Sequence, residues 1–198
     1  NRSFGSHNIS VMNVSTLEKF LLQGGNATSI FATLPEKNMG NSGRLSYDYN
    51  KKYFVEFSYG YNGSEKFKEG NRFGFFPSIA SGWFISKEPF WQPVKDIVNK
   101  LKIKFSYGKV GNDAIAGRAD RFFYLSDISR GGGAYAFGPD FNTRYQGYSI
   151  NRYANPNITW EISKKANYGI ELAFLDESLD VHVDVFNENR DQIYLQRE

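Results

Sequence analysis

The chain has no cysteine among its 198 residues, which removes disulfide scaffolds, thiolate zinc sites and cysteine nucleophiles. It also lacks any run near the roughly 18 consecutive apolar residues that a membrane helix needs, so passage through a bilayer would have to be made by strands. Blocks of like charge are missing too. Lys, Arg, Asp and Glu are interspersed at a net charge of +3 with no recognition motif, which argues against a nucleic-acid surface. Neither an initiator Met nor a charged-then-apolar leader opens the chain at Asn1.

What the chain does have is aromatic residues, 17% of the total with 18 Phe and 13 Tyr, and their spacing is regular. Leu45, Tyr47, Tyr49, Tyr53, Val55, Phe57, Tyr59, Tyr61, Phe73, Phe75, Ile79 and Trp83 fall on odd positions; Arg44, Ser46, Asp48, Glu56, Ser58, Gly60, Ser78 and Gly82 lie between them. A strand turns successive side chains to opposite faces, so each of these strands carries one greasy, aromatic face and one wet, charged one. That is the requirement of a lipid-facing, water-filled barrel. The pattern resumes at Leu101, Ile103, Phe105 and Tyr107, with Lys102 and Lys104 facing water. It continues on even positions from Ile158 and Trp160 through Tyr168, Ile170, Leu172 and Phe174, then at Leu179, Val181, Val183 and Val185.

Other stretches read less regularly. Ser6 to Val14 is a weak strand, and Thr16 to Leu22 has a helix-like piece ended by Gly24-Gly25, within an excursion that lasts to Gly40. Pro77 predicts a bulge or break in the strand Arg72 to Ser86, and Pro93 predicts the start of a short helix. Gly111 to Asn157 is a long irregular loop. Tight turns at Asn50-Lys51-Lys52 and Asp176-Glu177-Ser178 fall on one end of the strands and long links on the other, apart from a larger turn at Lys87 to Lys100 on the tight end, which is the asymmetry of outer-membrane barrels.

Five blocks in order then resemble a known family. They are Gly43-Arg44-Leu45-Ser46-Tyr47-Asp48-Tyr49-Asn50-Lys51-Lys52-Tyr53; Asn71-Arg72-Phe73-Gly74-Phe75-Phe76-Pro77-Ser78-Ile79-Ala80-Ser81-Gly82-Trp83; Glu88-Pro89-Phe90; Leu101 to Gly108 with Gly111-Asn112-Asp113; and Ala154-Asn155-Pro156-Asn157-Ile158-Thr159-Trp160-Glu161. Together they resemble the barrel of SusC/RagA TonB-dependent outer-membrane transporters. The resemblance implies an all-β antiparallel barrel segment, residues 1–198 forming part of a wall of about 22 strands around a plug that this chain lacks. It supplies seven or eight strands, with the extracellular loop at about 111–157. It further implies a multi-pass protein of the outer membrane that imports oligosaccharides or peptides, is driven through TonB by segments absent here, and is covered by a SusD-like surface lipoprotein. No enzyme activity and no cofactor are expected. Two other readings fit the pattern: an autonomous barrel of about eight strands acting as porin or adhesin, and a soluble β-sandwich carbohydrate-binding module.

The candidate contact residues are Arg118, Arg121, Tyr124, Tyr135, Arg144, Tyr145 and Tyr148, with Phe137 and Tyr153, all in the long loop, where rings could stack on a glycan or peptide. Packing of the loop on itself or on a lid explains them as well. Trp83 and Trp160 are expected on the lipid side or in its girdle. His182 between Asp180 and Asp184 fits a wet wall better than a metal site. Gly131-Gly132-Gly133 lacks the Lys-Ser/Thr of a phosphate loop.

Overall fold

The computed structural model describes residues 1–21, 34–115 and 121–195. Among the described residues ten strands form: β1 (Arg2–Phe4), β2 (His7–Phe20), β3 (Glu36–Tyr49), β4 (Tyr53–Ser64), β5 (Phe73–Phe84), β6 (Val98–Asn112), β7 (Asp127–Phe137), β8 (Thr143–Arg152), β9 (Glu161–Phe174) and β10 (Leu179–Asp191). Eight of them make one antiparallel sheet in the order β1-β2-β3-β4-β5-β6-β9-β10, and β7 with β8 makes a separate hairpin. The fold is the all-β barrel-type sheet that the alternation predicts.

The register carries that alternation from strand to strand. Tyr53 lies opposite Tyr49 and Trp83, Trp83 opposite Ile103, Ile103 opposite Ile170, and Ile170 opposite Val183. The odd positions of β2–β6 and β10 therefore share one face with the even positions of β9. A soluble sheet would bury that apolar face. Here Phe57 and Ile103 are each 42% exposed and Val183 50%, with no second sheet stacked over them among the described residues. The charged face is the more shielded of the two: on β4, Phe54, Glu56 and Ser58 are half-buried while Tyr53, Val55 and Phe57 are exposed. This excludes the sandwich reading. The described strands also do not close, since β1 and β10 are the two edges, so nothing supports a self-contained small barrel.

Short connections gather at one end. Gly5-Ser6 joins β1 to β2, Asn50 to Lys52 joins β3 to β4, and Leu175 to Ser178 joins β9 to β10. Asn50 and Lys51 take φ of 53° and 52°, the left-handed central pair of a turn closed by the Lys52 N–H donating to the Tyr49 carbonyl at 3.0 Å, which matches the strand twist. Links between β2 and β3, β4 and β5, and β6 and β9 are long and lie at the opposite end.

Several local expectations are corrected. Thr16 to Phe20 is not helical but the end of β2, paired through Phe20 with Glu36, so β3 also starts earlier than Gly43; Gly24 and Gly25 lie outside the described residues. The ladder from β4 to β5 passes Pro77 without a register shift. Instead, the β5–β6 ladder ends at Ser78 opposite Gly108, beside the residue that has no N–H to donate. In the β5–β6 connection, Pro89 rather than Pro93 opens the 3₁₀ turn Pro89–Val94, because it is Pro89 that sits where an N–H would go unused. The stretch 111–157 is less irregular than expected, since it holds the β7–β8 hairpin.

Trp160 is the clearest reversal. It precedes β9, is 7% exposed, and packs at ring-centroid distances of 5.3 Å from Phe67 and 5.2 Å from Phe76. Its indole N–H donates to the Arg72 carbonyl at 3.1 Å. The small core sits where the β5–β6 ladder has opened, with Ile115 and Ile158 at its margin. Trp83 keeps its expected place on the apolar face, stacked 6.1 Å from Tyr53.

Candidate functional site: the polar wall and the long-loop end

Alternation puts Lys100, Lys102 and Lys104 of β6 on the polar face together with Glu171 of β9 and Asp184 of β10. Each lysine Nζ lies 3.4 Å from a Glu171 carboxylate oxygen, and Lys104 also reaches Asp184 at 3.2 Å. The Glu171 side chain is 13% exposed, shielded by its own counterions. The bridge from Lys104 to Asp184 crosses a whole strand, and Gly169 lies beneath it, where a Cβ would meet both partners. Further along, Arg44 pairs with Glu56 at 3.3 Å, Ser46 donates to Glu56 at 3.2 Å, and Asn8 donates to Asp48 at 2.9 Å. A recess of about 340 Å³ opens on this wall, lined by Ser46, Asp48, Phe54, Glu56, Phe84 and Lys102. Lys102 stands 5.2 Å over the Phe84 ring. Such a wall offers a polar solute exchangeable hydrogen bonds and charges of both signs. His182 is exposed and lies opposite Glu171.

The long-loop end is tied together from several connections. Arg121 is 3% exposed, pairs with Glu65 at 3.2 Å and donates to the Leu34 carbonyl. Arg152 donates to the Arg121 carbonyl at 3.1 Å and lies 4.4 Å over the Phe123 ring. Ser64 donates to Asp113 at 2.8 Å, and Lys66 pairs with the same carboxylate at 3.6 Å. Arg121 is therefore a clasp beneath the surface.

The other sequence candidates separate. Arg118 lies outside the described residues. Tyr124 lines a recess of about 490 Å³ with Glu18, Asn38, Ser64, Glu65 and Phe122. Tyr135 lies directly opposite Tyr145, Ala136 opposite Arg144, and Arg130 opposite Tyr148, so the hairpin carries Tyr135, Arg144, Tyr145 and Tyr148, all exposed. Phe137 packs edge-on to Tyr145 at 5.7 Å. Sequence reading found the lysines of β6 but not their partners, although the polar parity of Glu171 and Asp184 was the available signal.

A large antiparallel sheet with an unburied apolar face, a charged face, short turns at one end and long links at the other defines an outer-membrane-type barrel wall. Comparison with known proteins narrows that class. TonB-dependent receptor P3 of Formosa agariphila is 26% identical over 208 residues, covering 94% of this chain and 20% of that protein. TonB-dependent receptor SusC of Bacteroides thetaiotaomicron is 31% identical over 151 residues, covering 76% of the chain and 14% of SusC. Among solved structures, the RagAB peptide importer in its closed-closed state superposes with a TM-score of 0.71 at 18% identity, covering 96% of this chain and 22% of that one. No protein-family model matches the chain. It corresponds to a section of the barrel of a SusC/RagA-type TonB-dependent receptor, and it spans about a fifth or less of the length of these curated relatives. The relatives are receptors and transporters, not enzymes.

Proposed function

We propose that the chain forms part of the wall of an outer-membrane importer for oligosaccharides or peptides, driven through TonB and working with a SusD-like lipoprotein seated over the long-loop end. In this reading residues 1–198 are barrel section, the apolar face meets lipid, the polar face lines the lumen, and 111–157 projects outside the cell. The observation that carries it is the exposure of Val55, Phe57, Ile103 and Val183 on a face with no covering layer, while Glu171 and the lysines around it are shielded on the other. Support comes from the RagAB structures, which are those of a peptide transporter. Tyr135, Arg144, Tyr145 and Tyr148 of the hairpin are the surface offered to substrate or lipoprotein, and Tyr124 lines a separate recess.

The test is uptake by cells whose only receptor of this type carries this sequence. Labelled oligosaccharide or peptide should enter only while the membrane is energised and the lipoprotein is present. Removal of residues 127–152 should lower uptake about tenfold or more while leaving the barrel in the membrane. Entry that ignores an uncoupler, or a protein recovered from the aqueous fraction without detergent, sinks the reading.

A further inference from the structure

The apolar face is almost free of charge. On β2–β6, β9 and β10 its charged residues are Lys19, Lys37, Lys109, Lys164 and Asp191, four cations and one anion. Arg2, opposite Ile9 on the short β1, is the remaining outward cation and lies near the short-turn end.

The four lysines gather at the long-loop end of their strands. Lys19 follows Leu17, Lys37 precedes Met39 and Lys109 follows Tyr107, each one alternation beyond the last apolar outward residue of its strand, while Lys164 lies between Ala166 and Ile162 on the same face of β9. The apolar band itself shifts along the strands across the sheet, as tilted barrel strands require, and the lysines shift with it. They also face each other. Lys19 is directly opposite Lys37, and Lys109 directly opposite Lys164. Like charges in that position repel, so two such pairs at one boundary oppose sheet formation unless something anionic lies over them.

The protein supplies little that does. Lys164 holds Asp191 at 2.7 Å. Lys19, Lys37 and Lys109 are exposed and have no acidic partner among the described residues. Next to them the apolar band offers Leu17, Met39, Tyr61 and Phe73 to acyl chains, and Asn13, Ser15, Asn41 and Tyr59 form a closed hydrogen-bonded patch just below.

We propose that the lysine pairs Lys19–Lys37 and Lys109–Lys164 form a docking surface for the phosphate headgroups of lipids in the leaflet at the long-loop end. A phosphate placed between two ammonium groups replaces their repulsion with two attractions, and its acyl chains lie along the band beneath. The surface rests on the barrel reading above, since only then does this face meet lipid. It fixes the depth and tilt of the wall where the loops emerge.

Native mass spectrometry of the whole receptor carrying this sequence tests it. Phosphatidic acid and diacylglycerol of identical chains are the probes, with inorganic phosphate as competitor. Phosphatidic acid should be retained about tenfold or more over diacylglycerol, inorganic phosphate at the same concentration should not displace it, and Lys19→Gln/Lys37→Gln/Lys109→Gln should bring the ratio near one. Arginine at the same three positions should keep the preference. Equal retention of the two lipids, full displacement by inorganic phosphate, or a preference that survives the glutamine variant overturns the proposal. Insertion into phosphatidylcholine vesicles separates the two readings: a receptor that inserts but shows no phosphate preference overturns this surface alone, and one that does not insert overturns the barrel with it.

Discussion

Glu88 shows how much one side chain can organise. It sits between the 3₁₀ turn Ile85–Lys87 and the 3₁₀ turn Pro89–Val94, is buried, and accepts hydrogen bonds from Tyr53 at 2.5 Å and Trp83 at 3.2 Å while Lys52 stands at 3.3 Å. It thus ties the short-turn end of β4 and β5 to the connection that follows. Donation from the Tyr53 hydroxyl first, then from the Trp83 indole and Lys52, holds its carboxyl below the ordinary carboxylate range, against the opposing effect of burial. A carboxyl depressed in the folded state contributes stability that is fully present above its unfolded value of about 4 and is lost as pH falls through the folded one. Glu88→Gln should therefore melt below the wild type at pH 7 in detergent, and the gap should narrow as pH drops under about 4. A gap that stays constant or widens on acidification contradicts this account. Glu88 stood inside a matched block, yet its role needed two rings and a lysine from elsewhere, which no spacing reveals.

At the scale of elements, β6, β9 and β10 act as one unit because Gly169 leaves room for Lys104 to reach Asp184 across the intervening strand. Substituting Gly169→Val would place its side chain against Lys104 Cε and Asp184 Oδ1 and separate the pair. The cost should be about 1 kcal/mol, the size of a cross-strand interaction. Adding Asp184→Asn to Gly169→Val should cost almost nothing more, since the bridge is already gone. Chemical unfolding of the four members of this cycle measures it, and additive losses would show that Gly169 acts through something else. Strand existence was legible from parity in all these elements. Strand ends were not: Thr16 to Phe20 has a helical spacing of apolar residues, but a neighbour at Glu36 to Gly40 supplies the ladder that decides its backbone.

For the whole molecule the question is which solvent lies against which face. Phe57 is midway between Tyr53 and Tyr61 on β4, flanked by Leu45 and Ile79, so it should lie near the middle of the bilayer. Its neighbour Ser58 points to the polar wall, bonded to Ser78 at 2.8 Å. Phe57→Arg should destabilise the vesicle-embedded receptor by about 2–4 kcal/mol, whereas Ser58→Arg should change it by well under that. Denaturant titration in vesicles gives both values, and a reversed order would mean that the two faces have been assigned the wrong way round. The two edges of the sheet among the described residues, β1 and β10, belong to the same scale, because lipid satisfies no open backbone N–H.

From its sequence alone this chain declares two-faced strands, the ends at which they turn tightly, and a likeness to the SusC/RagA barrel, because a period of two is a local property and a pleat expresses it directly. Only the tertiary structure decided that Trp160 turns into a core with Phe67 and Phe76, that Arg121 is a clasp while the hairpin tyrosines are free to the solvent, and that lysines on neighbouring strands stand face to face. Those outcomes depend on register between residues far apart in the chain, and register is set by the pairing of whole strands rather than by any one of them.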